Sequence, residues 1–404
     1  MTAIAQSLSN PFVRTRSTWL GYMLLACFGF ALSLVGPIMP FLAAKTGLTF
    51  TQIGYHFTLM SVGIVFISLA GDRIAKRIGN EQMVWGAATL IGLALFGVTT
   101  GSSLAITLFS MFLFGCAIGA VFLIANTAIA IAAGEHAAKA YIEANIIVGV
   151  AIIMGPVLAG LVSRSLLGWQ SIAFLPLIYV GILKIFFWGL TLPVALPGKE
   201  DSSGSAQHVD SRPLPLLFWI FGTLMFLSVA IEWLIGGLGA SFLTTVVGFE
   251  LSTSAALMSV FAVAIVLGRL IGRRLLDYLT ESRLLILSLV WVFLTFPLYW
   301  LSTLPVLNVV GMFLVGLGVG NLAPLSVSGA MASAGEATNR ASARFGLFPP
   351  IAILTMVQFF SILSDQFGIR RAYTFMIVLV IVAIAVAVST NRLRRTTAYI
   401  VPHA

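Results

Sequence analysis

Gly134-Glu135-His136-Ala137-Ala138-Lys139-Ala140 and Gly335-Glu336-Ala337-Thr338-Asn339-Arg340-Ala341 are one polar break written twice, 201 positions apart. Apolar similarity arises by chance in any lipid-soluble chain. A Gly-Glu-x-x-x-base interruption at matched places in two halves is much rarer. The register also holds away from the break: Phe41-Leu42 falls on Phe242-Leu243, Gly115 on Gly316 and Gly119 on Gly320. At an offset of 200, Glu81 falls on Glu281 and Gly168 on Gly368. The chain is a tandem repeat.

Between such breaks the sequence is apolar. Of 404 residues 59% are hydrophobic and 9% charged, with a mean hydropathy of +1.07. A soluble domain carries about 25% charged residues, so lipid must be the main solvent here. A spanning helix needs roughly 20 mostly apolar residues, and runs of that kind cover 19–44, 52–71, 82–100, 104–131, 140–163, 169–193, 214–244, 252–272, 284–302, 305–332, 341–364 and 372–390. The first run is longer than the core of a signal peptide and is expected to be retained as a span. The longest gap, 194–213, holds Lys199, Glu200, Asp201 and Ser202-Ser203-Gly204-Ser205 at the midpoint of the chain. The expected fold is all-α and integral to the membrane. It has twelve transmembrane helices in two six-helix pseudo-repeats, 1–193 and 214–404, joined by a cytoplasmic linker at 194–213. Parallel repeats of that kind are the architecture of rocking transporters.

The formal charge of +9 is distributed in short gaps, not clustered on a wet face as a nucleic-acid binder requires. Putting both termini in the cytoplasm places 15 bases on inner segments, while outer segments hold only Lys45, Arg164, Arg370 and Arg371. By the positive-inside rule this sets the orientation, and a cell (inner) membrane location with both termini cytoplasmic is expected. Cys27 and Cys116 are the only cysteines, both in apolar runs, and no metal site or disulfide framework is expected from them. No phosphate-cradling G-x-x-x-x-G-K-[ST] loop and no paired His or Cys arrangement occurs. No cofactor and no enzyme activity are expected.

After the second span the chain reads Ser68-Leu69-Ala70-Gly71-Asp72-Arg73-Ile74-Ala75-Lys76-Arg77. This resembles the signature loop of the major facilitator superfamily, G-x-x-x-D-[RK]-x-G-[RK]-[RK]. Asp72, Arg73, Lys76 and Arg77 match; Ser68 and Ala75 replace the two glycines. Gly268, Gly272, Arg273, Arg274, Asp277 and Arg283 form a degraded copy in the second half. The resemblance implies an inner latch that shuts the cytoplasmic gate in the outward-open state. An Asp72 carboxylate suits the positive end of a facing helix, and the eleventh span begins near Arg340. Asp277 stands in the mirrored position toward Lys139. For Arg73, Lys76 and Arg77 a purely topological role is the alternative. Gly155-Pro156-Val157-Leu158-Ala159-Gly160 is similar to the end of a motif of the proton-driven exporters of this superfamily; Gly and Pro also serve as packing and kink sites in spanning helices.

Few acids lie inside spans. Glu232, in Ala230-Ile231-Glu232-Trp233-Leu234, sits near the middle of the seventh. A charge at that depth costs about 2.5–3.5 kcal/mol on insertion scales, so Glu232 is a candidate for proton coupling or substrate contact in a central cavity. A carboxyl fixed by a neighbouring helix is the alternative. Gly236 and Gly237 above it are candidate bending points, matching Gly36 and Pro37 in the first span, with Gly155 and Pro156 in the fifth. Glu143 and Arg344 occupy equivalent places 201 apart. Three readings stand for them: a cytoplasmic gate salt bridge, substrate contacts, or solvated groups at the headgroup level. Asn126 and Asn321 are further cavity candidates or helix–helix glue. His56 is expected near an interface and solvated. The function implied is a proton-coupled secondary transporter, a monomer among membrane lipids, exporting a small amphipathic or organic solute. The rivals are a symporter or uniporter for a small nutrient and a non-transporting membrane sensor.

Overall fold

In hydrocarbon every backbone N–H and C=O must be satisfied within its own segment, which makes helices the only option for single apolar runs. The computed structural model describes residues 12–190, 192 and 213–400. Among them there is no strand. Eleven helices are long and apolar enough to cross a membrane, and one of these, Leu104–Ser163, is 60 residues long. It is two spans, interrupted by a 3-10 turn at Gly134–His136, where Gly134 takes φ 51. The twelve spans are α1 (Arg16–Thr46), α2 (Phe50–Ile78), α3 (Asn80–Thr100), α4 (Leu104–Ala133), α5 (Ala137–Ser163) and α6 (Phe174–Phe186, entered through a 3-10 turn Trp169–Ala173). Then follow α7 (Leu216–Gly236), α8 (Leu251–Leu275), α9 (Glu281–Leu301) and α10 (Pro305–Ala334). The eleventh span, α11, is segmented: Thr338–Phe345, Phe348–Ala352, a π-helical turn Ile353–Val357, and Gln358–Phe367. The last, α12, opens with Ile369–Ala372 and continues as Thr374–Ile400.

The repeated polar break behaves alike in both halves. Gly335 takes φ 56 and opens the 3-10 turn Gly335–Ala337, the counterpart of Gly134–His136. Only glycine enters that backbone region without strain. Packing repeats as well. α4 is the hub for α1, α2 and α3, and α10 is the hub for α7, α8 and α9. α3 packs on α6 as α9 packs on α12.

Some expectations need correction. The stretch Ser68–Arg77 is not a loop; it forms the last turns of α2, which ends only where Gly79 takes φ 87. Nothing before Gly79 breaks the helix, and Lys76 and Arg77 suit a helix C-terminus. The sixth span ends at Phe186, seven residues earlier than its hydropathy suggested, because Gly189 turns the chain with φ 69. The linker 194–213 lies outside the described residues except for Pro213. α1 and α5 run unbroken through Gly36-Pro37 and Gly155-Pro156, whereas α7 does stop at Gly236-Gly237. The chain re-forms a short helix at Gly239–Phe242 and a π-helical turn at Leu243–Val247. Tyr373 of α12 donates its hydroxyl to the Leu234 carbonyl at 2.9 Å, covering an acceptor at this break.

Candidate functional site

The two groups of six helices meet through α1 with α8 and with the short helix Gly239–Phe242 that follows α7, α2 with α11, and α5 with α8. The hydrogen bonds that join them, among the described residues, all lie on the side of the bundle away from the chain ends. α2 begins on that side with a capping box: Thr49 Oγ1 accepts from the Gln52 N–H, and Gln52 Oε1 accepts from the Thr49 N–H. That leaves two of the orphan donors of the first turn, Phe50 and Thr51. Asp365 of α11 takes both: each N–H reaches one carboxylate oxygen at 2.7 Å. Two turns deeper, the Thr58 hydroxyl donates to Gln358 Oε1 at 3.2 Å. On the α5–α8 seam Arg164 donates to the hydroxyls of Ser252 (3.1 Å) and Thr253 (2.8 Å).

Glycine makes the third seam possible. A Cβ on Gly36 would stand 2.1 Å from the Gly236 carbonyl oxygen, so α1 and the broken end of α7 are in backbone contact. Gly155 does the same within one half, its Cβ position 2.0 Å from Ser33 Oγ of α1. These glycines permit close approach, and that is how Gly36 and Gly155 act here in place of bending.

Below this closed end lies a cavity of about 120 Å³ between α1, α5, α7 and α8. Its walls include Leu32, Ser33, Trp233, Met258, Phe261 and Ile265, and among the described residues Glu232 is the one ionisable group lining it. The Glu232 carboxyl has no hydrogen-bond partner among the described residues. Arg269 acts on it electrostatically and sits one turn beyond Ile265 on the same face of α8, toward the chain ends, with its Nε–H donated to the Gly320 carbonyl at 3.3 Å. The Trp233 ring leans edge-on to Phe57 of α2, their centroids 6.0 Å apart.

On the side of the chain ends the hydrogen bonds found among the described residues do not include the four matched latch residues of α2. Asp72, Arg73, Lys76 and Arg77 are exposed at the end of α2, and none has a hydrogen bond or ion pair among the described residues. Asp277 is exposed after α8 and Arg340 half-buried at the start of α11. Lys139 stacks its ammonium 5.8 Å from the Phe12 ring. Glu143 does not pair with Arg344. It receives a bidentate fork from Arg14, at 2.8 Å from Nε and 2.7 Å from Nη2, and a hydrogen bond from Tyr22 at 3.1 Å. The reason is local: Arg14 lies just ahead of α1, which packs along α5, whereas Arg344 is exposed on a helix of the other half.

Asn126 and Asn321 do not line the central cavity. Asn126 donates to Phe122 of its own helix at 2.7 Å, and Asn321 faces a second groove between α8, α9 and α10. His56 is fully buried, not solvated: Nδ1 meets the Gln52 carbonyl at 2.8 Å and Nε2 the Thr107 hydroxyl at 2.9 Å. Nδ1 is tied to its own helix, and Nε2 holds α2 to α4. Among the described residues, no group of His, Cys, Asp or Glu is arranged to hold a metal.

A twelve-span helical bundle, sealed at one end over a cavity lined by an acid, is the architecture of a membrane transporter. The sequence matches the Major Facilitator Superfamily over residues 21–353, and the chain belongs to that superfamily. Among curated proteins it is 23% identical over 282 residues to a Protein TsgA homolog of Serratia proteamaculans (strain 568), covering 68% of this chain and 69% of that one. A TsgA homolog of Yersinia pestis (strain Pestoides F) is 23% identical over 283 residues, with the same coverage. Among solved structures, the nucleoside transporter NupG superposes with a TM-score of 0.72 at 17% identity, covering 93% of this chain and 97% of that one. A bacterial homolog of the human lysosomal transporter Spinster, inward-facing and unoccupied, gives 0.78 at 12% identity, covering 95% and 98%. The D-xylose–proton symporter gives 0.71 at 10%, covering 92% and 96%. At these identities the structures establish the fold alone.

Proposed function

We propose that the protein is a proton-coupled secondary transporter that exports a small amphipathic or organic solute, with Glu232 as the group on which proton and solute compete. The halves 1–193 and 214–404 rock about the central cavity, and both termini face the cytoplasm of a cell whose inner membrane holds the protein as a monomer. In that orientation the structure is the inward-open state, and the unpaired Asp72, Arg73, Lys76 and Arg77 are a latch that engages only when the cytoplasmic side closes.

One observation carries the reading: the Glu232 carboxyl lines a largely apolar cavity between the halves and, among the described residues, has no hydrogen-bond partner. A carboxylate committed to structure would be hydrogen-bonded, because an ionised group left alone at that depth is costly. The free carboxyl supports an exchange role over a fixed one. The apolar walls and the Trp233 and Phe261 rings favour a solute with a hydrophobic body, and a basic group on it would find Glu232.

The test is solute-driven proton movement in proteoliposomes holding wild type or Glu232→Gln. Wild type moves protons against the direction of solute flow, and Glu232→Gln keeps the fold but moves none. Wild-type stoichiometry in Glu232→Gln removes Glu232 from coupling. Proton and solute flow in the same direction replaces export with symport.

A further inference from the structure

α8 and α9 both pack on α10, and toward the chain ends they leave a groove between them that α10 floors. The groove has a volume of about 300 Å³ and is separate from the central cavity. Its walls are Ile271 and Leu275 on one side, Leu284, Leu287 and Trp291 on the other, and its floor includes Gly318. The floor is low because nothing larger fits: a Cβ on Gly318 would lie 2.9 Å from the Ser288 carbonyl oxygen. Trp291 is a fixed wall, its indole N–H donated to the Leu314 carbonyl at 2.8 Å. Ile271, Leu287 and Trp291 are 49%, 52% and 44% exposed, so the groove opens outward to lipid.

The charges at the end of the groove are not symmetric. Residues three or four apart share a helix face, which puts Arg274 beside Ile271 on α8, and Arg283 on the face of Leu287. Both arginines are exposed, and their guanidinium groups have no hydrogen bond or ion pair among the described residues. Of the two nearby acids, Asp277 is three residues past Arg274 but off the face of Ile271 and Leu275. Glu281 is held by α10, its carboxylate accepting from the Ser328 hydroxyl at 2.7 Å. Two free cations therefore stand at the headgroup end of an apolar slot.

We propose that this groove binds one anionic phospholipid of the leaflet on the side of the chain ends. One acyl chain lies in the slot, and the phosphate sits between Arg274 and Arg283. Apolar slot and paired bases are both needed: a bare groove takes any lipid tail, while bases near a membrane surface select anionic headgroups, at roughly fivefold for each base.

Detergent-purified full-length protein is offered equal amounts of phosphatidylglycerol and phosphatidylethanolamine with identical acyl chains, and retained lipid is counted by native mass spectrometry. Wild type should retain phosphatidylglycerol by about tenfold or more. Arg274→Gln with Arg283→Gln should retain the two lipids equally, and Ile271→Trp, a large residue at a lipid-exposed position, should lose both. Inorganic phosphate in millimolar excess should not displace the lipid. The proposal is overturned by equal retention in wild type, by an undiminished preference in the double arginine variant, or by displacement with phosphate alone.

Discussion

Replacing Asp365 by Asn tests whether the closed end is held by backbone donors of one half reaching a side chain of the other. In the structure the carboxylate takes the Phe50 and Thr51 N–H groups at 2.7 Å each, and the capping box takes the other two donors of that turn. A hydrogen bond to a charged group is worth about 1.5–3 kcal/mol net, and a carboxylate at a helix N-terminus adds about 0.3–1. Asp365 is exposed, so water competes and the pair falls below that range, to about 2 kcal/mol together. Asparagine keeps one acceptor and no charge, which removes about 1–1.5 kcal/mol and shifts the ratio of closed to open by roughly five- to tenfold. Alanine removes the whole contact, for roughly thirtyfold. Spin labels at the exposed Ser102 and Thr303, in the loops after α3 and α9, report the distance across this end. The half-buried Cys116 is replaced by alanine first, and the fully buried Cys27 is left in place. Longer distances should gain population in the order wild type, Asn, Ala. If Asp365→Ala leaves the distribution unchanged, the cap does not hold the halves together.

Gly36→Val should open the same end more severely, since any Cβ meets the Gly236 carbonyl; alkylation of a cysteine placed at Thr58 should speed up, and unchanged alkylation would refute the close contact. Arg14→Gln and Glu143→Gln should show non-additive effects on thermal stability that fade with added salt, while Arg344→Gln combined with Glu143→Gln should be additive. Asp72→Asn should leave the stability of this state unchanged, because Asp72 is unpaired in it, yet should slow transport by weakening the opposite closure. Equal transport by Asp72→Asn and wild type would remove the latch.

Twelve spans and their repeat were legible because lipid imposes length and hydropathy on each helix, and because Gly134 and Gly335 must adopt positive φ at matched places. The end of α2 was misjudged for the converse reason: charge reads as loop, but a helix can continue into the headgroup region with Lys76 and Arg77 on its last turn. The cavity position of Glu232 followed from depth and rarity. The partner of Glu143 did not follow, since pairing by repeat position assumes symmetry that Arg14, outside the repeated spans, does not obey. The closed end was the least visible. Thr49-x-x-Gln52 signals a helix start, but nothing local marks Asp365, more than 300 residues away, as the acceptor for that helix.

The two sides of the bundle are also closed by different chemistry, and this bears on how one proton can tip them. The far side is shut by short-range contacts: the Asp365 cap, the Arg164 bonds and the Gly36 approach. Each exists only when the surfaces touch, so the seal breaks as a unit and costs several kcal/mol in total. The near side carries exposed charges, worth about 0–1 kcal/mol a pair when they do meet. Such an arrangement rests closed on the far side, and something must be added to reverse it. Moving a two-state balance from 1:99 to 99:1 takes about 5.5 kcal/mol. An ionised carboxyl in the apolar cavity costs about 2.5–3.5 kcal/mol, half or more of that requirement from one residue. If Glu232 takes the proposed role, its charge is relieved only where water or a bound solute reaches it, so the ionised state favours a cavity open to water on one side. Neutralising it removes that preference and lets the latch contacts at Asp72 compete.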